Sequence, residues 1–206
     1  MNIRKLSLAI SNIIPATFVM LLAQANFIRF FRAGGELRVS HLLLACQLVL
    51  ISFFFIARYA PKIVSWHPWD IFISFTGTFA PFFFSLGEHH GVLIKPSGIM
   101  LQILGDCLTV YAVLSLNRSI GILPANRGIQ TQGMYRFIRH PFYASYQVAN
   151  LGYLINHPSF YNLEVALLGL LSQILRILSE ERLLTQDPVY VEYQSRVRWR
   201  MIPFIF

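Results

Sequence analysis

Charge is what this chain has least of: only 13% of its 206 residues are Asp, Glu, Lys or Arg, while 55% are hydrophobic and 15% aromatic. Mean hydropathy is +0.55. So little polar surface cannot cover a globule in water, which excludes an ordinary soluble domain. Cysteine is scarce as well. Cys46 and Cys107 both fall in apolar runs, at no metal-ligand or redox spacing, so they read as buried small side chains and imply no disulfide framework. There is no G-x-G-x-x-G, no P-loop and no G-x-S-x-G elbow, so a nucleotide-like cofactor would not be held by a soluble Rossmann module. His89 and His90 are adjacent and lack Cys or carboxylate companions at ligand spacing, which argues against a metal site. No internal repeat or low-complexity linker breaks the chain, and 1–206 reads as a single membrane domain.

What is present is a series of long apolar runs. In lipid a helix satisfies its own backbone hydrogen bonds, so such runs predict an all-α, polytopic helical membrane protein. Six spans are expected: Leu6–Phe30, His41–Tyr59, Pro68–Leu86, Gly98–Leu116, Phe142–Asn156 and Phe160–Ser179. The fifth is short for a hydrocarbon core of about 30 Å, which needs about 20 residues. It is expected to form a tilted, re-entrant-like hairpin with the sixth through Asn156-His157-Pro158-Ser159. Arg4 and Lys5, an apolar run and Ala23-Gln24-Ala25 have the order of a secretory leader. The run is longer than a typical leader's, and it reads as an uncleaved first helix.

The few charges are biased in sign, 17 Lys and Arg against 9 Asp and Glu, for a net +8. With the N-terminus inside, Arg4, Lys5, Arg58, Lys62, Arg118, Arg127, Arg136, Arg139 and the later arginines face the cytoplasm, against Arg29, Arg32, Arg38 and Lys95 outside. This predicts both termini in the cytoplasm of an inner or plasma membrane. The basic excess then reflects orientation and attraction to anionic headgroups, with no nucleic acid implied.

Ionisable residues beside apolar spans are expensive and usually mark a buried partner or ligand. Two stretches stand out, Arg139-His140-Pro141-Phe142-Tyr143 and Arg176-Ile177-Leu178-Ser179-Glu180-Glu181. On a helix Gln173, Arg176 and Glu180 share one face, with Glu181 about 100° further round. That stripe reads either as the wall of a polar cleft or as an Arg176–Glu180 pair closing a helix end. His-Pro occurs three times, at His67, His140 and His157, each time at a span boundary. Only His140 has Arg139 before it, Tyr143 after it and Gly133 upstream. Asp106, with Gln102 and Thr109 on its face of the fourth span, reads either as a functional carboxylate or as a hydrogen-bonded packing group.

From about Leu116 onward the chain resembles the isoprenylcysteine carboxyl methyltransferase superfamily, which includes membrane phospholipid N-methyltransferases. The resemblance rests on Leu116-Asn117-Arg118-Ser119, Thr131-Gln132-Gly133-Met134-Tyr135, the two stretches above, Tyr190, Tyr193 and the tail from Val197 to Pro203. Met134 stands where the family commonly has proline and Asn117 where it has glycine. It implies a methyltransferase-like core over 98–206 that uses S-adenosyl-L-methionine, with the spans of 1–97 outside the resemblance. Cofactor binding would involve Arg139, His140, Pro141, Tyr135, Glu180 and Glu181, and catalysis Tyr143, Arg176 and Glu180. His140, helped by Arg139, would take the ligand carboxylate and the two glutamates its ammonium. The methyl acceptor would be lipophilic or small (a prenylcysteine-like carboxylate, a phospholipid amine or a thiol) and would enter from the bilayer. Competing readings are a membrane reductase of the sterol type using a nicotinamide cofactor, to which the Arg200-Met201-Ile202-Pro203 tail is similar, and a non-enzymatic transporter or accessory factor.

Overall fold

The computed structural model describes the backbone of residues 3–32, 37–84 and 95–206, with side chains from 11, 41 and 95 onward in these three stretches. His89 and His90 lie outside the described residues. The fold is mostly helical. Its helices are α1 (Ile3–Arg32), α2 (Leu37–Ala57), α3 (Pro68–Phe79), α4 (Pro96–Leu116), α5 (Pro141–Asn156), α6 (Phe160–Leu184) and α7 (Pro188–Arg196). The strands are a two-residue antiparallel pair, β1 (Ile63–Val64) against β2 (Ala125–Asn126).

Each of the His-Pro pairs marks a helix boundary, because proline fits the first helical turn and forbids continuation. His67 caps α3, its Nδ1 accepting from the Trp69 N–H, with Pro68 next. Pro141 opens α5 and His157 closes it. Ser159 then caps α6 by accepting from the Asn162 N–H at 3.1 Å. The turn leaving α4 passes through Asn117 at φ +54°, a conformation that glycine favours and asparagine tolerates.

Three of the six expected spans are long and apolar enough to cross a membrane: Ser11–Arg32, Pro96–Ser119 and Phe160–Leu184. The other three are shorter in their described parts. Helix α3 ends at Phe79, inside the third expected span, and a 3-10 turn at Ala80–Phe83, containing Pro81, follows it. His157-Pro158 stops α5 after 16 residues. In the other direction, α6 runs five residues past the expected end at Ser179, so Glu180 and Glu181 both lie within a helix. Helix α1 is continuous across Ala23-Gln24-Ala25.

Packing is built from small residues where helices approach closely. α1 and α2 form a hairpin through Ala16, Val19 and Ala23 against Leu48, Ile51, Phe54 and Phe55, and Val113 of α4 joins that cluster. Between α4 and α5 the approach is tighter still. A Cβ on Gly105 would strike the Ala149 backbone, and one on Gly152 the Gly98 carbonyl. Small residues at such seams let helix backbones meet where lipid supplies no hydrophobic drive. Cys46 and Cys107, expected to be buried, are both exposed; in a bilayer the outward face is itself apolar, so hydropathy does not separate the two placements.

Substituting Gly105 by leucine is predicted to force α4 from α5 and to lower stability by about 1–3 kcal/mol, the usual effect of overpacking. Thermal unfolding in detergent checks this, with leucine at the exposed Met100 as the neutral comparison.

Candidate functional site

The residues singled out above meet where α5 begins, α6 ends and the C-terminal tail returns. Arg139 and His140 immediately precede α5, and their N–H groups donate to the carbonyls of Trp199 (2.9 Å) and Arg200 (2.7 Å). The tail is closed on itself: the Phe206 carbonyl accepts from the N–H groups of Arg200, Met201 and Ile202. It therefore lies as a strap beside the first turn of α5, with Met201 packed on Tyr143 and Ile177.

Glu181 is the centre of this junction. Its side chain is only 8% exposed, and Oε1 accepts from Arg139 Nε at 2.6 Å while Oε2 accepts from Arg200 Nε at 2.8 Å. Arg139 Nη2 adds a contact to Oε2 at 3.3 Å and Tyr190 Oη one to Oε1 at 3.2 Å. His140 Nε2 lies 3.2 Å from Oε1; a carboxylate only accepts, so Nε2 is the protonated nitrogen and Nδ1 is left for another partner. The ring is thus turned away from helix capping: His140 stands at the N-cap of α5 without a side-chain capping bond. The last terminal nitrogen of Arg139 donates to the Val197 and Arg198 carbonyls.

Glu180, about 100° round the helix, is placed differently. It is half-buried and accepts one hydrogen bond, from Tyr143 Oη at 3.0 Å. Among the described residues it has no cationic partner. Arg176 does not pair with it. Instead the guanidinium bonds Thr78 Oγ1 at 2.9 Å and the Gly121 carbonyl at 3.0 Å, and stacks over the Tyr143 ring at 5.2 Å. Gln173 is buried and accepts from Gln147 Nε2 at 2.7 Å, so the expected polar stripe does face inward.

One cavity joins these groups. It has a volume of about 80 Å³, and Arg139, His140, Tyr143 and Glu180 line it together with Tyr135, Tyr190 and Tyr193. Its remaining wall comes from the connection after α4, including Ser119–Gly121 and Gly128–Gln130. Burial raises the hydroxyls of Tyr135, Tyr190 and Tyr193 above the ordinary phenol range, so these rings stay neutral. Pockets that enclose small organic ligands run about 300–1,000 Å³, so a ligand of nucleoside size requires this cavity to widen.

Four of the expected site residues therefore form the cavity wall with Tyr135, and three do not. Glu181, expected to hold a ligand ammonium, is occupied by Arg139, Arg200 and the His140 ring. Arg176 touches Tyr143 and positions it. Pro141 is fully buried at the start of α5. Arg200, which completes the ring of cations on Glu181, was not singled out from the sequence. Among Arg196, Arg198 and Arg200 nothing in periodicity distinguishes it from an ordinary basic tail. Of the Ser119–Gln130 wall, only Ser119 lies in a stretch that carries the resemblance, and the residues of this wall that line the cavity are uncharged. Among the described residues no group of three His, Cys, Asp or Glu side chains is arranged to hold a metal ion.

Replacing Glu181 with glutamine is predicted to leave Arg139 and Arg200 without a counter-charge and to destabilise by about 3–5 kcal/mol, as expected for breaking a buried ion pair. Glu180→Gln, which breaks none, is predicted to change stability by less than about 1 kcal/mol. Chemical unfolding of both variants in micelles decides the point; equal losses would contradict the distinction.

No family model matches this chain, and no curated protein matches it.

Proposed function

We propose that the protein is an integral membrane methyltransferase that uses S-adenosyl-L-methionine, in keeping with the resemblance over its C-terminal half. The observation that carries the reading is Glu180: a half-buried carboxylate without a cationic partner among the described residues, on the same small cavity as an imidazole and four tyrosine rings. An unpaired carboxylate in such a place asks for a cation. Aromatic faces favour cationic methyl groups. When bound, the cofactor supplies a methyl group on a sulfonium.

Glu180 would take the ligand ammonium, with Tyr143 holding the carboxylate by its hydroxyl and Arg176 holding the Tyr143 ring. His140, with Nε2 already donating to Glu181, would donate from Nδ1 to the ligand carboxylate as the doubly protonated ring, its orientation fixed by Glu181. Arg139 would act indirectly, because its nitrogens are already committed to Glu181 and to the strap carbonyls. The tyrosines would exclude water and align the acceptor; alignment alone supplies about 7–11 kcal/mol in favourable intramolecular cases. An ionised carboxylate acceptor needs no base. An amine or thiol must lose a proton, and Glu180 is then the group placed to receive it.

The wider reading is a bundle of six membrane segments with both termini in the cytoplasm. The three long apolar helices support membrane residence, and the basic residues flanking the segments support the orientation. Both glutamates then sit near the cytoplasmic surface, where a soluble cofactor has access.

Calorimetry in detergent tests the site. Purified protein is predicted to bind S-adenosylmethionine, and Glu180→Gln to weaken it roughly ten- to a hundredfold, as for losing a charge-assisted contact. Unaltered affinity in Glu180→Gln and His140→Ala would remove this assignment. Retention of a nicotinamide cofactor instead would favour the reductase reading.

A further inference from the structure

A second set of charged side chains gathers at the C-terminal end of α2, away from the glutamates. Arg118 Nε donates to the Ala57 carbonyl, and its guanidinium stacks on the Tyr59 ring at 4.3 Å. Arg127 Nη1 donates to the Tyr59 carbonyl at 2.6 Å. Arg58, between Ala57 and Tyr59 in sequence, is buried and turns to α1, with Nε on Asn12 Oδ1 at 2.7 Å and Nη2 donating to the Ser11 carbonyl. Two backbone bonds tie the assembly: Tyr59 N–H donates to the Arg118 carbonyl at 2.9 Å, and Lys62 N–H to the Asn126 carbonyl at 2.7 Å. The guanidinium groups of Arg118 and Arg127 thus converge on the carbonyls of residues 57–59, with the buried charge of Arg58 beside them.

Among the described residues none of the three meets a carboxylate. The ion pairs elsewhere engage Lys62 with Asp187, Arg196 with Glu192, and Glu181 with Arg139, His140 and Arg200. Donors also remain. The terminal nitrogens of Arg118 make no bond to a described residue, and Arg127 Nε is buried without a partner. Burial, with the like charge of Arg58 beside it, depresses the Arg127 guanidinium to about 10. Like charges held together around carbonyl dipoles leave a net positive site that an anion would relieve.

We propose that Arg118 and Arg127, backed by the buried charge of Arg58, form a binding site for the phosphate of an anionic phospholipid headgroup. Planar guanidinium forks match phosphate oxygens in pairs. The surroundings select a lipid over a free ion: Phe53 and Ile56 of α2, then Tyr59, Ile63 and Trp66, are all exposed beside the arginines. Apolar side chains can lie along acyl chains, and interfacial aromatics occupy the headgroup level. Arg118 also precedes the Ser119–Gln130 wall of the cavity, so a bound headgroup would anchor one end of that segment. The site is independent of what the cavity binds.

The test uses the full chain in uncharged detergent micelles, titrated with short-chain phosphatidylglycerol, with the matching phosphatidylcholine and with inorganic phosphate. The readouts are tryptophan fluorescence and the unfolding midpoint. Saturable binding is predicted for phosphatidylglycerol alone, weakened roughly five- to tenfold by Arg118→Ala. Arg118 is exposed, so this variant is expected to fold; Arg118→Lys keeps the charge without the fork and should fall between. Arg182→Ala, which removes an exposed arginine outside the cluster, should bind like the unaltered chain. Equal affinity in Arg118→Ala, an equal loss in Arg182→Ala, or an equal response to phosphatidylcholine or phosphate would each overturn the proposal.

Discussion

The C-terminal half of this protein is organised around one buried carboxylate. Glu181, on α6, sits where α5, α7 and the tail come together, and each of these supplies it a donor: Arg139 and His140 from the entry to α5, Tyr190 from α7 and Arg200 from the strap. A lone carboxylate at that depth would be strongly penalised, so the site is stable only with its donors in place. The requirement runs both ways. Arg139 cannot be buried without Glu181, and the strap cannot dock without the bonds from Arg139 and His140 to its carbonyls. Fixing Glu181 therefore fixes the imidazole plane and the position of the last ten residues.

Two adjacent glutamates on one helix thereby acquire different work. The helical turn between them sends Glu181 into the cationic ring and Glu180 to the cavity, where a tyrosine hydroxyl is its bonded partner. Arg176, one turn earlier, is held between Thr78 of α3 and Gly121 and presents its flat face to Tyr143. The arginine thus orders the tyrosine, and the tyrosine orders the carboxylate. Preorganisation of this kind is what a site needs if it is to recognise a small zwitterion in the proposed way.

The sequence exposed those features that local chemistry decides. Proline placed the starts of α3 and α5, the three- and four-residue spacing put Gln173 and Arg176 on an inward face, and hydropathy identified the three long helices. It failed where long-range geometry decides. Nothing local says that α6 continues past Ser179; the extra turn is held by Glu181 bonding to residues 41 and 42 positions upstream and 19 downstream. Helical spacing sets Glu180 and Glu181 about 100° apart, but nothing local says which of the two Arg139 and Arg200 surround. Exposed cysteines were misread because lipid-facing and core-facing positions have the same hydropathy. The strap was invisible because its bonds are to backbone carbonyls, which any residue type provides.

The central claim is that the cavity shared by His140 and Glu180 receives a sulfonium nucleoside between its tyrosine rings. Photochemical crosslinking of isotope-labelled S-adenosylmethionine to the purified protein, followed by peptide mapping, addresses it most directly. The account predicts adducts on the peptides carrying Tyr135, Tyr143 or Tyr190, suppressed by excess unlabelled cofactor. Adducts confined to the first three helices, or none that competitor removes, would contradict it.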